Sequence, residues 1–220
     1  PPIGCKGLAE LDSYPNPVVG LYPPNGFSGE PAGNEYARDD ETSNLIKSGF
    51  HNSILVVNNN FDVVQSYNKR RLVPFGEFLP FEKILNYFGL KKITEGHGSF
   101  LKGKENKNLI IDNLSILPLI CYEVIFTDLI QNSEENTNLI VNISEDGWFG
   151  KSIGPHQHFA KSIFRAIENN TFLLRSANQG ISAIIDNKGN IIKKMNINEA
   201  GNIEFEIPLI KSNKIKNDLI

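Results

Sequence analysis

Two apolar runs constrain this chain more than any other feature. Ile116-Leu117-Pro118-Leu119-Ile120 leads straight into Cys121, and Asn138–Ile143 is apolar apart from its asparagines. Neither run alternates apolar with polar residues, as a half-solvated strand must. Short runs that are apolar on both sides of the pleat read as strands covered on both faces.

The segments around them favour a mixed architecture. Pro155–Asn169 places Phe159, Ile163, Ala166 and Ile167 on one helical face, with Pro155 in the first turn. Pro80–Phe88 repeats Phe81, Ile84, Leu85 and Phe88 at helical spacing and closes on Gly89. Phe126–Asn132 reads as a short helix. Ser53–Asn58 and Phe61–Tyr67 flank an Asn59-Asn60 turn and predict a hairpin. Further strands are predicted at Leu109–Asp112, Ser115–Cys121, Thr171–Ala177, Ile181–Asp186, Ile191–Met195 and Asn202–Ile207, with a turn at Asn187–Asn190 and a polar loop over 91–107. Strands interleaved with helices, several of them continuously apolar, predict an α/β sandwich.

Composition divides the chain near residue 45. Seven of the 12 prolines and a single lysine, Lys6, lie in residues 1–45. That segment reads as loop, either a surface segment or foreign sequence joined to a coherent domain over 46–220. A net charge of −3 offers no electrostatic footprint for nucleic acid. Two cysteines, Cys5 and Cys121, make no disulfide framework, and Cys121 is expected to be free. No run reaches the ~18 apolar residues of a membrane-spanning helix, and Pro1–Lys6 has no signal-peptide character. Without an initiator Met, the chain reads as an internal piece of a longer one.

The chemistry concentrates in three motifs. Cys121 stands where an apolar strand would deliver a side chain to its carboxyl end, the usual place for α/β active sites. It is either a buried structural cysteine or a nucleophile whose proton a base removes. Lys69 opens Lys69-Arg70-Arg71-Leu72-Val73-Pro74-Phe75-Gly76-Glu77. It is either a solvated charge or, packed under the apolar turns that follow, an ammonium that stabilises the oxyanion of an attacked carbonyl. In Asn142–Gly150, Trp148 and Phe149 are either cleft-lining or core aromatics. His156 and His158 lie two apart on a predicted helix, so they point to different faces and do not chelate together. No partner cluster has zinc-type spacing, and no metal or cofactor is expected. A Cys–His pair remains a rival arrangement.

Leu72–Glu77, Ile120–Glu123, Trp148–Gly150 with Gly154–His158, and Arg165–Glu168 with Leu174–Ala183 stand in an order that resembles the carbon–nitrogen hydrolase (nitrilase) superfamily. Within it they resemble the apolipoprotein N-acyltransferase branch. The resemblance covers about residues 46–207. It implies a four-layer α-β-β-α sandwich, incomplete at its N-terminus, with a Glu-Lys-Cys triad. Cys121 would carry an acyl thioester, Lys69 would support the tetrahedral intermediate, Glu77 and Glu123 would orient Lys69 or the thiol, and Trp148 would gate or line the cleft. It also implies a phospholipid acyl donor, an apolipoprotein acceptor, and an inner-membrane setting on the periplasmic side in a Gram-negative-type bacterium, with membrane helices outside this chain. The pattern departs at the general base. No Trp-Pro-Glu-like strand precedes Lys69, and Glu10 is the nearest substitute. An unassisted thiol, with a pKa of about 8.5, is mostly protonated at neutral pH. A soluble amidase or nitrilase, or a non-catalytic module lacking its base, are the rival readings.

Overall fold

A computed structural model describes residues 8–10, 18–20, 51–57, 62–80, 100–104, 107–111, 114–131 and 137–208. The strands are β1 (Leu8–Glu10), β2 (Val18–Gly20), β3 (Ser53–Val57), β4 (Val63–Asn68), β5 (Leu109–Ile111), β6 (Leu114–Ile120), β7 (Leu139–Glu145), β8 (Phe172–Asn178), β9 (Ser182–Ile185) and β10 (Ile191–Met195). The helices are α1 (Thr127–Gln131) and α2 (Gly154–Glu168), and single 3-10 turns follow β6 and β7.

Among the described residues, β1-β2-β3-β4 form one antiparallel sheet, and β10-β9-β8-β7-β6-β5 form a second. In the second sheet β6, β7 and β8 run parallel while β5, β9 and β10 join antiparallel at the edges. Every residue of β6 and β7 is buried, as their unbroken apolar character predicted. Pro118 is tolerated in so central a strand because β5 pairs only with Leu114–Ile116. Among the described residues only β7 pairs at Pro118, and the Ile120 N–H, on the same side of the strand as the Pro118 nitrogen, bonds to Glu123 and not to β7, so the missing N–H loses no bond to β7.

Alternation along these strands builds two cores. Ile116 and Ile120 of β6 with Leu139, Val141 and Ile143 of β7 face Ile54, Val56 and Tyr67 of the other sheet. Leu117, Leu119 and Ile140 point the opposite way, against Phe159 and Ala166 of α2. The order sheet, sheet, helix is an α/β sandwich. Burying one such Leu or Ile contributes about 1.5–3 kcal/mol, so these two faces supply most of the drive to fold. The helix expected at Pro80–Phe88 lies, after Pro80, outside the described residues.

Three expectations change. Residues 1–45 were read as loop, yet β1 and β2 lie there and β2 pairs with β3. Three-residue strands are too short to show a period. Asn202–Ile207 forms no ladder; Ile203 and Ile207 instead anchor an extended segment on the first core. Their alternation came from packing, not from strand pairing. β7 runs two residues past Ile143, because Ser144 and Glu145 pair with Ala177 and Asn178 of β8.

Ile140 is fully buried between sheet and helix. Ile140→Ala is expected to lower unfolding free energy by about 2–5 kcal/mol. A urea midpoint within error of wild type would mean that this layer is not the closed core described.

Candidate active site

Lys69 directly follows β4. Its N–H donates to the Asn52 carbonyl at 2.8 Å, and its own carbonyl accepts from Gly103 at 2.8 Å. A Cβ at position 103 would lie 2.1 Å from the Asn68 carbonyl oxygen. Only glycine lets the 100–104 loop close over Lys69, a requirement that sequence reading missed. The lysine side chain is 1% exposed, and its Nζ donates to Glu77 Oε1 at 2.7 Å. Glu77 also accepts from Asn52 Nδ2 at 3.0 Å and from the Val73 N–H at 2.8 Å. The turn-rich Val73–Glu77 segment is therefore folded back by the carboxylate that partners Lys69.

Cys121 directly follows β6 and starts the Cys121–Ile125 turn with φ +52°. A non-glycine residue in that left-handed region costs about 1–3 kcal/mol and persists only where its surroundings impose it. Cys121 is a free, half-buried thiol, as expected. Its Sγ donates to the Glu145 carbonyl at 3.8 Å.

Glu123 joins the two halves. Its carboxylate is fully buried. It accepts from the Ile120 N–H at 2.8 Å, from the Arg70 N–H at 2.7 Å, from the Arg71 N–H at 3.0 Å and from the Tyr67 hydroxyl at 3.0 Å. One side chain thus holds the residue before Cys121 and the residue after Lys69. Burial pushes the Glu123 carboxyl up, while the backbone donors and Lys69 pull against it. Burial also pushes the Lys69 ammonium towards its neutral form, but the coulombic influence of Cys121, with Glu77 and Glu123, outweighs it and holds the pKa above the ordinary lysine value. Cys121 and Lys69 therefore share one electrostatic neighbourhood.

Glu10 does not join it. Glu10 pairs with Val18, Val18 with Val57, and Val57 with Val63, the far end of β4 from Lys69. Six residues at ~3.4 Å each set the two about 20 Å apart along the sheet.

The third motif leaves β7 at the same edge. Trp148 is 56% exposed, so the core reading fails for it. Phe149 is half-buried with its ring 5.5 Å from that of His158. His156 is exposed. His158 is buried, but its Nε2 lies 3.2 Å from the Cys121 carbonyl oxygen, and its Nδ1 2.8 Å from Asp146 Oδ1. It meets the backbone of Cys121, not the thiol, so the Cys–His arrangement is not the one built. Arg175 and Asp146 complete a buried cluster through a 2.7 Å ion pair. Asp146 stands 2.3 Å from where a Cβ of residue 180 would be, which requires Gly180. Arg175 lies in the Leu174–Ala183 motif and Asp146 in the Asn142–Gly150 motif, but sequence reading missed them as ion-pair partners, because no spacing marks the pairing. Among the described residues no group of three His, Cys, Asp or Glu side chains is placed to hold a metal ion.

This end of a two-sheet sandwich, where Glu123 ties the backbone beside a buried lysine–glutamate pair to the backbone beside a free cysteine, is the setting in which the family enters. The carbon-nitrogen hydrolase model matches residues 33–216, and the chain belongs to that family. The match begins inside the Pro/Gly-rich first segment. The chain is 40% identical over 171 residues to the apolipoprotein N-acyltransferase of Rhizobium leguminosarum bv. trifolii, covering 77% of this chain and 32% of that protein. It is 42% identical over 163 residues to the enzyme of the same name from Rickettsia typhi, covering 74% and 32%. The chain thus spans about a third of the length of these relatives. Nit3 of Saccharomyces cerevisiae, a nitrilase-superfamily member, shares the fold at 16% identity and a TM-score of 0.51, over 68% of this chain and 51% of its own.

Two outcomes follow. Glu123→Gln would aim an amide donor at backbone N–H groups. It is expected to cost about 1–3 kcal/mol in urea unfolding and to slow alkylation of Cys121; an unchanged stability would remove Glu123 as the joint. Asp146 is subject to a burial that raises its pKa, but His158, Arg175 and Ser144 more than reverse it and hold the carboxyl below the usual range. Its stabilisation is complete above the unfolded value of about 3.9 and is lost as pH falls through the lower folded value. Asp146→Asn should therefore be less stable than wild type at pH 7, with the gap in urea midpoint closing towards pH 2. A gap that widens on acidification contradicts the pairing.

Proposed function

We propose that this chain carries the catalytic centre of an apolipoprotein N-acyltransferase. The observation that carries the reading is the buried Lys69–Glu77 ion pair, whose neighbouring backbone Glu123 ties to the backbone beside the free thiol of Cys121. The 40% and 42% identity to named acyltransferases selects the branch.

In the proposed reaction a carboxylate base takes the Cys121 proton. The thiolate then attacks the ester carbonyl of a phospholipid, and Lys69 Nζ stabilises the resulting oxyanion. The C–O bond breaks, the lysophospholipid oxygen takes the proton, and the acyl group stays on Sγ as a thioester. The α-amino group of the S-diacylglyceryl-cysteine of an apolipoprotein attacks that thioester. An amide forms, and the thiol is regenerated with the amine's proton. Glu77 holds Lys69 in place, and Glu123 holds the two strand ends together. The strand register, which sets the Glu10 backbone about 20 Å from Lys69, speaks against Glu10 as the base; the family pattern puts that glutamate on a strand preceding Lys69.

A lipid substrate is favoured by the side chains around the site. Phe75 is 47% exposed, Tyr122 38%, Trp148 56% and Ile153 67%, all on the segments that follow Lys69, Cys121 and β7. Trp148 and Phe149 would line the acyl path. Exposed large apolar groups on neighbouring loops fit an acyl chain or membrane surface better than a small polar amide. Action at the periplasmic face of an inner membrane belongs to the same proposal.

The test is direct. Phospholipid vesicles with a labelled acyl chain should leave one acyl mass on Cys121, released by hydroxylamine, and Cys121→Ala should take up none. Hydrolysis of a short amide without any acyl uptake from vesicles would select the amidase reading instead.

A further inference from the structure

The buried cluster behind Cys121 takes no part in the reaction just described. His158 is 3% exposed, Arg175 3% and Asp146 0%. Burying three ionisable groups is costly, and a hydrophobic filling of the same volume is often as stable or more so. The cluster is also not closed on itself: one arm leaves it and ends on the nucleophile's own backbone.

We propose that His158 is a positioning residue that holds the Cys121 peptide, and hence the direction of Sγ. The Cys121 carbonyl oxygen lies 3.2 Å from His158 Nε2 and accepts from Asn142 Nδ2 at 3.4 Å. The same Asn142 nitrogen donates to the Leu119 carbonyl at 3.0 Å. The last turn of β6 is thus clamped from the helix side, while Glu123 clamps the Ile120 N–H at 2.8 Å. The residue between these two clamps is the one with φ +52°.

The ring itself is fixed from three directions. Asp146 Oδ1 stands 2.8 Å from Nδ1. Asp146 is in turn held by Arg175 Nη2 at 2.7 Å and by the Ser144 hydroxyl at 2.7 Å. The rings of Tyr122 and Phe149 flank the imidazole at 5.9 and 5.5 Å. α2 supplies His158, β8 supplies Arg175, and the end of β7 supplies Asn142, Ser144 and Asp146. Three elements on the helix face of the sheet therefore converge on one carbonyl of the residue that bears the thiol.

The inference rests on Cys121 as nucleophile, but its test reads the thiol and needs no acyl donor. An asparagine amide reproduces Nδ1 of histidine, and a glutamine amide reproduces Nε2. His158→Asn keeps the Asp146 partner and loses the Cys121 contact; His158→Gln does the reverse. If His158 merely satisfies Asp146, Asn is the better replacement. If it positions Cys121, Gln is. The rate of Cys121 alkylation by iodoacetamide, resolved from Cys5 by peptide mass spectrometry, should fall about fivefold or more in His158→Asn. It should stay within about twofold of wild type in His158→Gln. Equal rates in the two variants, or the reverse order, overturn the proposal. Should either variant fail to fold by circular dichroism, the 15N shift of Nε2 in wild-type protein decides. A protonated nitrogen facing the Cys121 oxygen supports the clamp, and an unprotonated one removes it. Failure of vesicle acylation with the Gln-over-Asn order intact would sink the acyltransferase reading and leave the positioning role standing.

Discussion

The carboxylate of Glu123 is the interaction on which the site depends. It belongs to the turn after β6, yet two of its hydrogen bonds come from the backbone N–H groups of Arg70 and Arg71, more than fifty residues earlier in the chain. Without it, the end of β4 and the end of β6 are two loops on two different sheets. With it, the backbone beside Lys69 and the backbone beside Cys121 share one anion. A buried carboxylate is unfavourable alone; here its lone pairs are filled by three backbone N–H groups and a tyrosine hydroxyl. That saturation makes the group a joint and not a defect.

The electrostatics around this joint divide the labour. Lys69 loses its water entirely, and its charge survives because Cys121, Glu77 and Glu123 surround it. On the proposed reaction, a buried ammonium held by Glu77 would act as a preorganised stabiliser of developing negative charge. On the other face of the same sheet, Arg175, Asp146 and His158 form a second desolvated group whose reach ends at the Cys121 carbonyl. Cys121 thus has the Glu123 contacts on one side and the His158 contact on its own carbonyl, and it adopts a left-handed φ of +52°.

Much of this was legible beforehand. The continuous apolar runs announced β6 and β7, and the helical spacing over 155–169 announced α2, because burial on both faces and a one-sided stripe each leave their own period. The motifs around Lys69, Cys121 and Trp148 drew attention to the segments from which the proposed site is built. Less legible were the pieces that carry no period: the short β1 and β2, the extended but unpaired segment over 202–207, and Gly103, whose need appears only where the 100–104 loop crosses Asn68. Arg165–Ala183 was recognised as a motif, but Arg175 was not recognised as the partner of Asp146.

The amino-acid order by itself determined which residues lie inside, which elements they form, and which family the chain belongs to, since periodicity and local motif are properties of neighbours along the chain. Only the tertiary structure decided that Lys69 is dry, that Glu10 lies at the wrong end of its sheet, that Trp148 faces outward, and that His158 holds a carbonyl instead of a thiol. Each of those depends on strand register and on what the opposite layer presents. A shift of one residue in pairing reverses every side chain on a strand, and no local spacing encodes it.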